Sequence, residues 1–167
     1  MDQKRIMGQN ITMEEARKVI EAMLHAAIHI PEDPDNPTAN LPMSLAVADT
    51  AGALVYFVRM DGASALTVRM AMNKAFTAIE TRRDTIDSHN MLKTQGLDIA
   101  YFSAGEPRLT YVRGGVLLRA KDGSIVGAIG TSGRIPPTKM NDEDIARIGA
   151  KAYRELKDAK EQVGEAL

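Results

Sequence analysis

Residues 43–63, MSLAVADTAGALVYFVRMDGA, carry the pattern that decides the fold. The apolar run 43–49 is followed by a turn at 49–52 and by 54–60, which is rich in β-branched and aromatic residues. Two such runs around a short polar turn are typical of an antiparallel hairpin. A second pair of runs, 116–119 and 125–131, flanks a Lys-Asp-Gly-Ser turn at 121–124. The Asp-Gly pair predicts a type I′ turn between them.

Helices are predicted around these hairpins. Thr12 and Glu15 have the spacing of a capping box, and apolar residues then recur at helical intervals. A second helix follows Ser64, a short one is predicted near 86–93, and a last one begins at Asn141 before a tail, 157–167, expected to fray. Because hairpins dominate and βαβ units do not recur, the sequence predicts an α+β fold: a mainly antiparallel sheet of about five strands with helices packed on it.

Composition limits the classes of function. A chain of 167 residues with 44% apolar content is expected to form one domain, 1–167, with a sizeable core. The net charge of −1 gives no general electrostatic reason for a nucleic-acid or membrane partner. The lack of cysteine excludes disulfides and thiolate metal sites. The first residues contain no apolar secretion signal, so a cytoplasmic protein is predicted.

Several stretches, taken in their order along the chain, resemble the GlcG/HbpS-like family, which includes the C-terminal domain of PduO-type proteins. They are the ITMEEA start of the first helix, residues 43–63, NKAFTAI at 73–79, GGVLLRAKDGSIVGAIGTSG at 114–133 and DEDIARIGAKAY in the last helix. The resemblance covers about residues 10–155. It implies a profilin-like layered fold, homo-oligomerisation and, for some members, binding of haem or a related tetrapyrrole. Two segments depart from the family pattern, a Pro-rich insertion at 31–42 and residues 134–144, and both favour a specialised ligand.

Three histidines are candidate axial ligands if haem is the cofactor. His25 and His29 lie four residues apart on the first helix, so both rings project from one face. The alternative interpretation is that they are two surface histidines. His89 is the third candidate and lies in a polar segment. No metal site beyond a haem iron is predicted.

An enzymatic interpretation centres on the same segment. His89 with Asp87 forms a candidate acid–base pair, and Lys74 is a further candidate catalytic group. The alternative is a solvated polar loop. Further residues are candidates for binding an anionic or aromatic ligand, since guanidinium groups bind carboxylates and aromatic rings stack on planar molecules. These residues are Arg59, Asp61, Asn73, Lys74, Arg82, Arg83, Tyr101, Arg108, Tyr111, Arg113 and Arg134.

Three functions follow from these observations. The first is an oligomeric protein that binds haem, another tetrapyrrole or a related planar anionic ligand. The second is a small cofactor-independent lyase or isomerase that acts on a carboxylated aliphatic or aromatic metabolite. The third is a non-catalytic assembly domain. Phosphate-binding loops of the Walker A and GxGxxG types, the GxSxG elbow and the HExxH motif are all missing from the sequence, so common nucleotide-binding and hydrolase mechanisms have no support.

Overall fold

The computed structural model describes residues 9–30, 40–136 and 138–164, with only the backbone described for Phe102 and residues 161–164. Residues 31–39 of the predicted Pro-rich insertion therefore lie outside the described part. The predicted α+β class is confirmed. In chain order the elements are α1 (Met13–Ile28), β1 (Ser44–Ala48), β2 (Leu54–Arg59), α2 (Ala65–Thr81), α3 (Thr85–Thr94), α4 (Ile99–Ser103), β3 (Gly115–Arg119), β4 (Ile125–Ser132) and α5 (Asp142–Gly164).

The strands form one antiparallel sheet in the order β2-β1-β4-β3. Both predicted hairpins are present, β1 with β2 and β3 with β4, and the pairing of β1 with β4 joins them. The two central strands, β1 and β4, are buried along their whole length. Leu45, for example, pairs with Val58 on one side and Thr131 on the other.

The described residues contain four strands rather than about five. The outer edge of β3, where a fifth strand would pair, is occupied by side chains from the start of α3. Leu117 N–H donates to Asp84 Oδ1 (2.9 Å), and Gly115 N–H donates to Thr85 Oγ1 (3.0 Å). Because these bonds already satisfy the edge amides of Gly115 and Leu117, the sheet ends at β3 without a further strand among the described residues.

Helices cover both faces of the sheet. α2 packs against β4, β1 and β3, while α1 and α5 pack against each other and against the opposite face. Side chains alternate accordingly: Leu45 and Val47 point to the α1/α5 layer and Ala48 to α2. A Cβ atom on Gly130 would lie 2.7 Å from Ala75 N, so α2 approaches the backbone of β4 closely at this position.

The first helix begins as predicted. Thr12 and Glu15 form a reciprocal capping box, with Glu15 N–H donating to Thr12 Oγ1 (3.2 Å) and Thr12 N–H to Glu15 Oε2 (3.1 Å). The short helix predicted near 86–93 is α3. The turn at 121–124 is not type I′, because Gly123 has a positive φ (82°) but Asp122 does not.

The tail predicted to fray from residue 157 is helical as far as Gly164. Lys157 and Lys160 of this extension bind Glu15 Oε1 on α1, at 2.7 and 3.0 Å. These contacts are made between helices that are far apart in sequence, so local patterns did not indicate them. Across the described ranges, no helix is long and apolar enough to cross a membrane.

Candidate functional site

A cleft of about 400 Å³ opens between α3, α4, the segment 109–113 and residues 135–136. This volume lies within the range of about 300–1,000 Å³ that is typical of small-molecule sites. We call it the His89 cleft. Its lining is mainly apolar and consists of Ile86, His89, Ile99, Ser103, Leu109, Thr110, Tyr111, Val112, Arg113, Ile135 and Pro136.

The position of α3 places His89 in this cleft. Ile86 and His89 are three residues apart, so both side chains lie on one face of the helix. Asp84 precedes α3, and its carboxylate accepts from Leu117 N–H (2.9 Å) and lies 3.3 Å from Arg147 Nη2. The start of the helix is therefore fixed to β3 and α5.

The imidazole of His89 is oriented by a backbone carbonyl. His89 Nδ1 lies 3.2 Å from Tyr111 O, and Tyr111 is 8% exposed. A carbonyl oxygen only accepts hydrogen bonds, so Nδ1 must carry the proton. In the neutral ring, Nε2 then keeps its lone pair, which is the arrangement found in histidines that ligate metals.

The start of α5 holds both walls of the cleft. Glu143 Oε2 accepts from Gly114 N–H (2.9 Å), next to Arg113. Asp142 Oδ1 accepts from Arg134 N–H (2.8 Å), and Asp142 N–H donates to Arg134 O (2.9 Å), next to Ile135. These bonds set the separation of the two walls.

Behind the cleft lies a buried ion pair. Lys74 Nζ donates to Asp142 Oδ2 (2.7 Å) and to Thr131 O (2.8 Å), and the side chains of Lys74 and Asp142 are 1% and 2% exposed. Burial lowers the pKa of Lys74 and raises that of Asp142, and the attraction between the two groups opposes both shifts. Lys74, predicted as a catalytic and binding residue, is thus enclosed in the core rather than presented to the cleft.

Arg134 is also enclosed, with 1% of its surface exposed. Its Nε donates to Leu41 O (2.7 Å) and its Nη2 to Ala27 O (2.9 Å), while Nη1 has no hydrogen-bond partner within the described part of the chain. Burial lowers the pKa of Arg134. The guanidinium thus provides a hydrogen-bond donor for a free carbonyl group in the last turn of α1. Arg134 stabilises the fold and does not line the His89 cleft.

Of the predicted site residues, His89, Tyr111 and Arg113 meet in the cleft. Asp87 is exposed on α3, two positions from His89, and side chains at that spacing do not face each other on a helix. The predicted His–Asp pair is therefore not assembled in the structure.

The remaining candidates lie elsewhere. Arg82 ends α2 in a left-handed conformation (φ 54°), and Arg83 contacts Met91 Sδ (2.8 Å). Arg108 stacks over the ring of Phe76 (3.8 Å to its centroid). None of the following lines the cleft: Arg59 and Asp61 near the end of β2, the half-buried Asn73 on α2, and Tyr101, which is 79% exposed on α4.

His25 is exposed on α1, and His29 is exposed at the C-cap of the same helix. Their rings stack with centroids 4.1 Å apart, and His29 Nδ1 lies 2.8 Å from His25 O. Neither ring lines the His89 cleft. In the described residues, no group of three or more His, Asp or Glu side chains is arranged to hold a metal ion.

The sequence did not indicate the apolar lining of the cleft. Ile99, Leu109 and Ile135 come from three separate segments, and each is an ordinary aliphatic residue in the sequence. The spacing of Ile86 and His89 was the one local signal, because residues three apart share a helix face.

Comparison with known proteins gives a match to one protein family and to individual sequences. Residues 11–151 match the family described as haem degrading protein HbpS-like. GlcG of Escherichia coli K12 is 37% identical over 93 residues, which are 56% of this chain and 66% of that protein. The matched stretch thus spans just under two thirds of the curated relative.

Two solved structures share the fold. A double mutant of HbpS from Streptomyces reticuli superposes with a TM-score of 0.67 at 29% identity, covering 86% of this chain and 87% of that one. A crystal structure described as a PduOC:haem complex gives a TM-score of 0.65 at 20% identity, covering 86% and 94%. The family match spans most of the chain and agrees with the layered fold, so this chain belongs to the HbpS-like family.

Proposed function

We propose that this chain binds haem, or a related planar and anionic tetrapyrrole, in the His89 cleft. The observation that carries the proposal is the contact between His89 Nδ1 and Tyr111 O in an apolar cleft. It leaves Nε2 of a neutral imidazole available to an iron atom. The family description and the haem complex formed by PduOC support the choice of ligand.

The lining suits such a ligand chemically. Ile86, Ile99, Leu109, Val112 and Ile135 offer apolar surface for a flat macrocycle. Arg113 is exposed at the same cleft, where a guanidinium can pair with a carboxylate. Bound haem would supply an iron that can activate dioxygen or peroxide. The residues of this chain would hold and orient the group and limit access of water to one of its faces.

The lyase or isomerase alternative has less support from the geometry. Of its three predicted catalytic residues, His89 lines the cleft, Lys74 is 1% exposed inside the core, and Asp87 lies at a different angle on α3. A single imidazole supplies one acid–base group instead of the expected set. We therefore place this alternative second, and a purely structural role third. The cytoplasmic location stays a prediction.

A haem titration of the purified chain tests the proposal. We expect a shifted Soret band that saturates, and at least about tenfold weaker binding with a changed spectrum for His89→Ala, because a ligating imidazole is lost. The control is His25→Ala/His29→Ala, which should bind as the wild type does. No absorbance shift in the wild type would refute haem binding. If the control loses haem binding while His89→Ala retains it, the haem site lies at His25 and His29 instead.

We further propose that the chain self-associates along the outer edge of β2. Met60 N–H donates to Met43 O (2.9 Å), so residues 56, 58 and 60 face β1 and residues 57 and 59 turn their backbone groups outward, as far as the register shift between Val47 and Ala48. Unlike the edge of β3, this edge is not occupied by side chains of the described residues. The strand LVYFVR contains a single charge and no proline, so it lacks two of the features that prevent edge pairing.

A second copy fits this edge by symmetry. A twofold axis at Phe57 would pair Phe57 with its counterpart and bring Val55 opposite Arg59 of the other copy. The charge at the position opposite Arg59 therefore tests the interface. We expect Val55→Lys to shift the protein toward monomer by light scattering and Val55→Glu to retain association, since only the lysine opposes like charges. Identical behaviour of the two variants would contradict this arrangement.

A further inference from the structure

A second cleft, of about 200 Å³, lies between β3, α5 and the residue that precedes α3, and three arginines line it. Its charged lining consists of Asp84, Arg119, Arg147 and Arg154, over a floor that includes Val116 and Ala150. Arg147 and Arg154 are seven residues apart on α5, so they lie two turns apart on one face. Arg119 reaches the same cleft from the end of β3. We call it the arginine cleft.

Its positive charge is only partly compensated. Arg147 Nη2 lies 2.6 Å from Glu143 Oε1 and 3.3 Å from Asp84 Oδ2. Arg119 donates through Nη1 to Gly123 O (3.0 Å), which carries no charge. Among the described side chains, neither Arg119 nor Arg154 forms an ion pair.

The neighbouring acids do not supply the missing partners. Glu155 pairs with Lys151 (3.6 Å), and Asp158 pairs with Lys121 (3.0 Å). The cleft is thus lined by Arg119 and Arg154, which have no carboxylate partner among the described side chains, and by Arg147, which has two. This positive site stands in a chain whose net charge is −1. Because like charges repel, this grouping raises the electrostatic energy of the free protein, and a bound anion would lower it.

The edge of β3 adds a backbone donor. Residues 115, 117 and 119 turn their N–H groups outward, and those of Gly115 and Leu117 are bonded to Thr85 and Asp84. Arg119 N–H is the next in this row and is directed toward the same edge. Guanidinium groups form paired hydrogen bonds with planar carboxylates and with phosphates, and a volume of this size admits one such group.

The structure assigns the arginine cleft as a binding site for a small oxyanion, the phosphate or carboxylate group of a metabolite. Arg119 and Arg154 contact the anion, while Arg147, held by Glu143 and Asp84, fixes the side of the cleft between them. The site is separate from the His89 cleft and does not depend on haem binding.

Amide NMR of the ¹⁵N-labelled full chain tests this assignment, with inorganic phosphate and citrate titrated separately at constant ionic strength. We expect saturable shifts for residues 117–119 and 147–154 with at least one of the two anions. If only phosphate gives saturable shifts, the cleft is a phosphate site, and if only citrate does, it is a carboxylate site. If both anions do, the cleft binds oxyanions in general. Arg119→Gln/Arg154→Gln should weaken binding about tenfold or more, because two charge-assisted contacts are removed.

The matched control removes two exposed positive charges elsewhere, as Arg69→Gln/Lys93→Gln. Its affinity should stay within about twofold of the wild type, since screened charges at a distance contribute little. Shifts that grow without saturating for both anions would overturn the proposal. So would an equal loss of affinity in the control, because attraction to the overall surface charge would then explain the binding.

Discussion

Lys74 Nζ lies 2.7 Å from Asp142 Oδ2, and neither side chain is more than 2% exposed. The pair connects α2 with the first turn of α5, and Lys74 also donates to Thr131 O on β4 (2.8 Å). Asp142 Oδ1 accepts from Arg134 N–H, the residue before Ile135 in the wall of the His89 cleft. One buried carboxylate therefore links the core of the protein to its candidate site.

Lys74→Met should lower the free energy of unfolding by about 3–5 kcal/mol, because it leaves the Asp142 carboxylate buried without its counter-charge. Urea denaturation followed by circular dichroism measures the change. The charge-free double variant Lys74→Met/Asp142→Leu should be the more stable of the two. A double variant no more stable than Lys74→Met would show that the buried charge is not the cause.

The capping carboxylate of Glu15 makes stability depend on pH. Burial alone would raise its pKa, but hydrogen bonds from Lys157, Thr12 N–H and Lys160 outweigh that effect and lower the pKa from 4.5 to about 2. A lowered pKa in the folded state stabilises the fold above the unfolded value. This contribution, roughly 2–3 kcal/mol, is present above about pH 4.5 and is lost as the pH falls toward 2.

Glu15→Gln provides the measurement. The difference in unfolding free energy between wild type and variant should be largest above about pH 5 and should shrink steadily as the pH falls toward about 2. Urea titrations at several pH values give this difference directly. A difference that stays constant with pH would mean that Glu15 acts through packing rather than through its charge.

Gly130→Ala should be among the most destabilising small substitutions in this chain. The added Cβ would lie 2.7 Å from Ala75 N and closer still to Ala71 O, both backbone atoms of α2. The helix would have to move off the sheet, so a loss of about 3 kcal/mol or more is expected. Gly105→Ala, where a Cβ meets nothing within 4 Å, should change stability by less than about 1 kcal/mol. The melting temperatures of the two variants measure this difference. Equal melting temperatures would contradict the close packing of α2 on β4.

Ile135→Ser should weaken haem binding without affecting the fold. Ile135 is 70% exposed at the rim of the His89 cleft, so a bound ligand would cover its side chain. In the free protein this side chain buries little surface and therefore contributes little to the stability of the fold. Loss of this apolar surface is expected to weaken binding about tenfold, as measured by Soret titration. Leu66→Ser, at a residue 60% exposed on α2 and outside the cleft, is the control and should bind normally. An unchanged affinity for Ile135→Ser would place the ligand elsewhere.

The sequence was sufficient for features that depend on neighbouring residues. The capping box of Thr12 and Glu15 closes within one helical turn, and the runs 43–49 and 54–60 lie close enough to pair through a short turn. The Asp-Gly turn was predicted in the right place but with the wrong type. The register shift after Leu118 changes the backbone conformation at Asp122, which does not take the positive φ of a type I′ turn.

The tertiary structure decided what distant residues do. Lys74 and Asp142 are 68 positions apart, and nothing local distinguishes a lysine that enters the core from one that binds a ligand. Asp84 and Thr85 lie on a helix start, yet they determine where the sheet ends. Local patterns fixed the helices, the hairpins and the α+β class, since these follow from side-chain periodicity and capping over a few residues. The His89 cleft arose only when α3, α4 and the segments 109–113 and 135–136 were packed together, because its walls come from elements that share no sequence pattern.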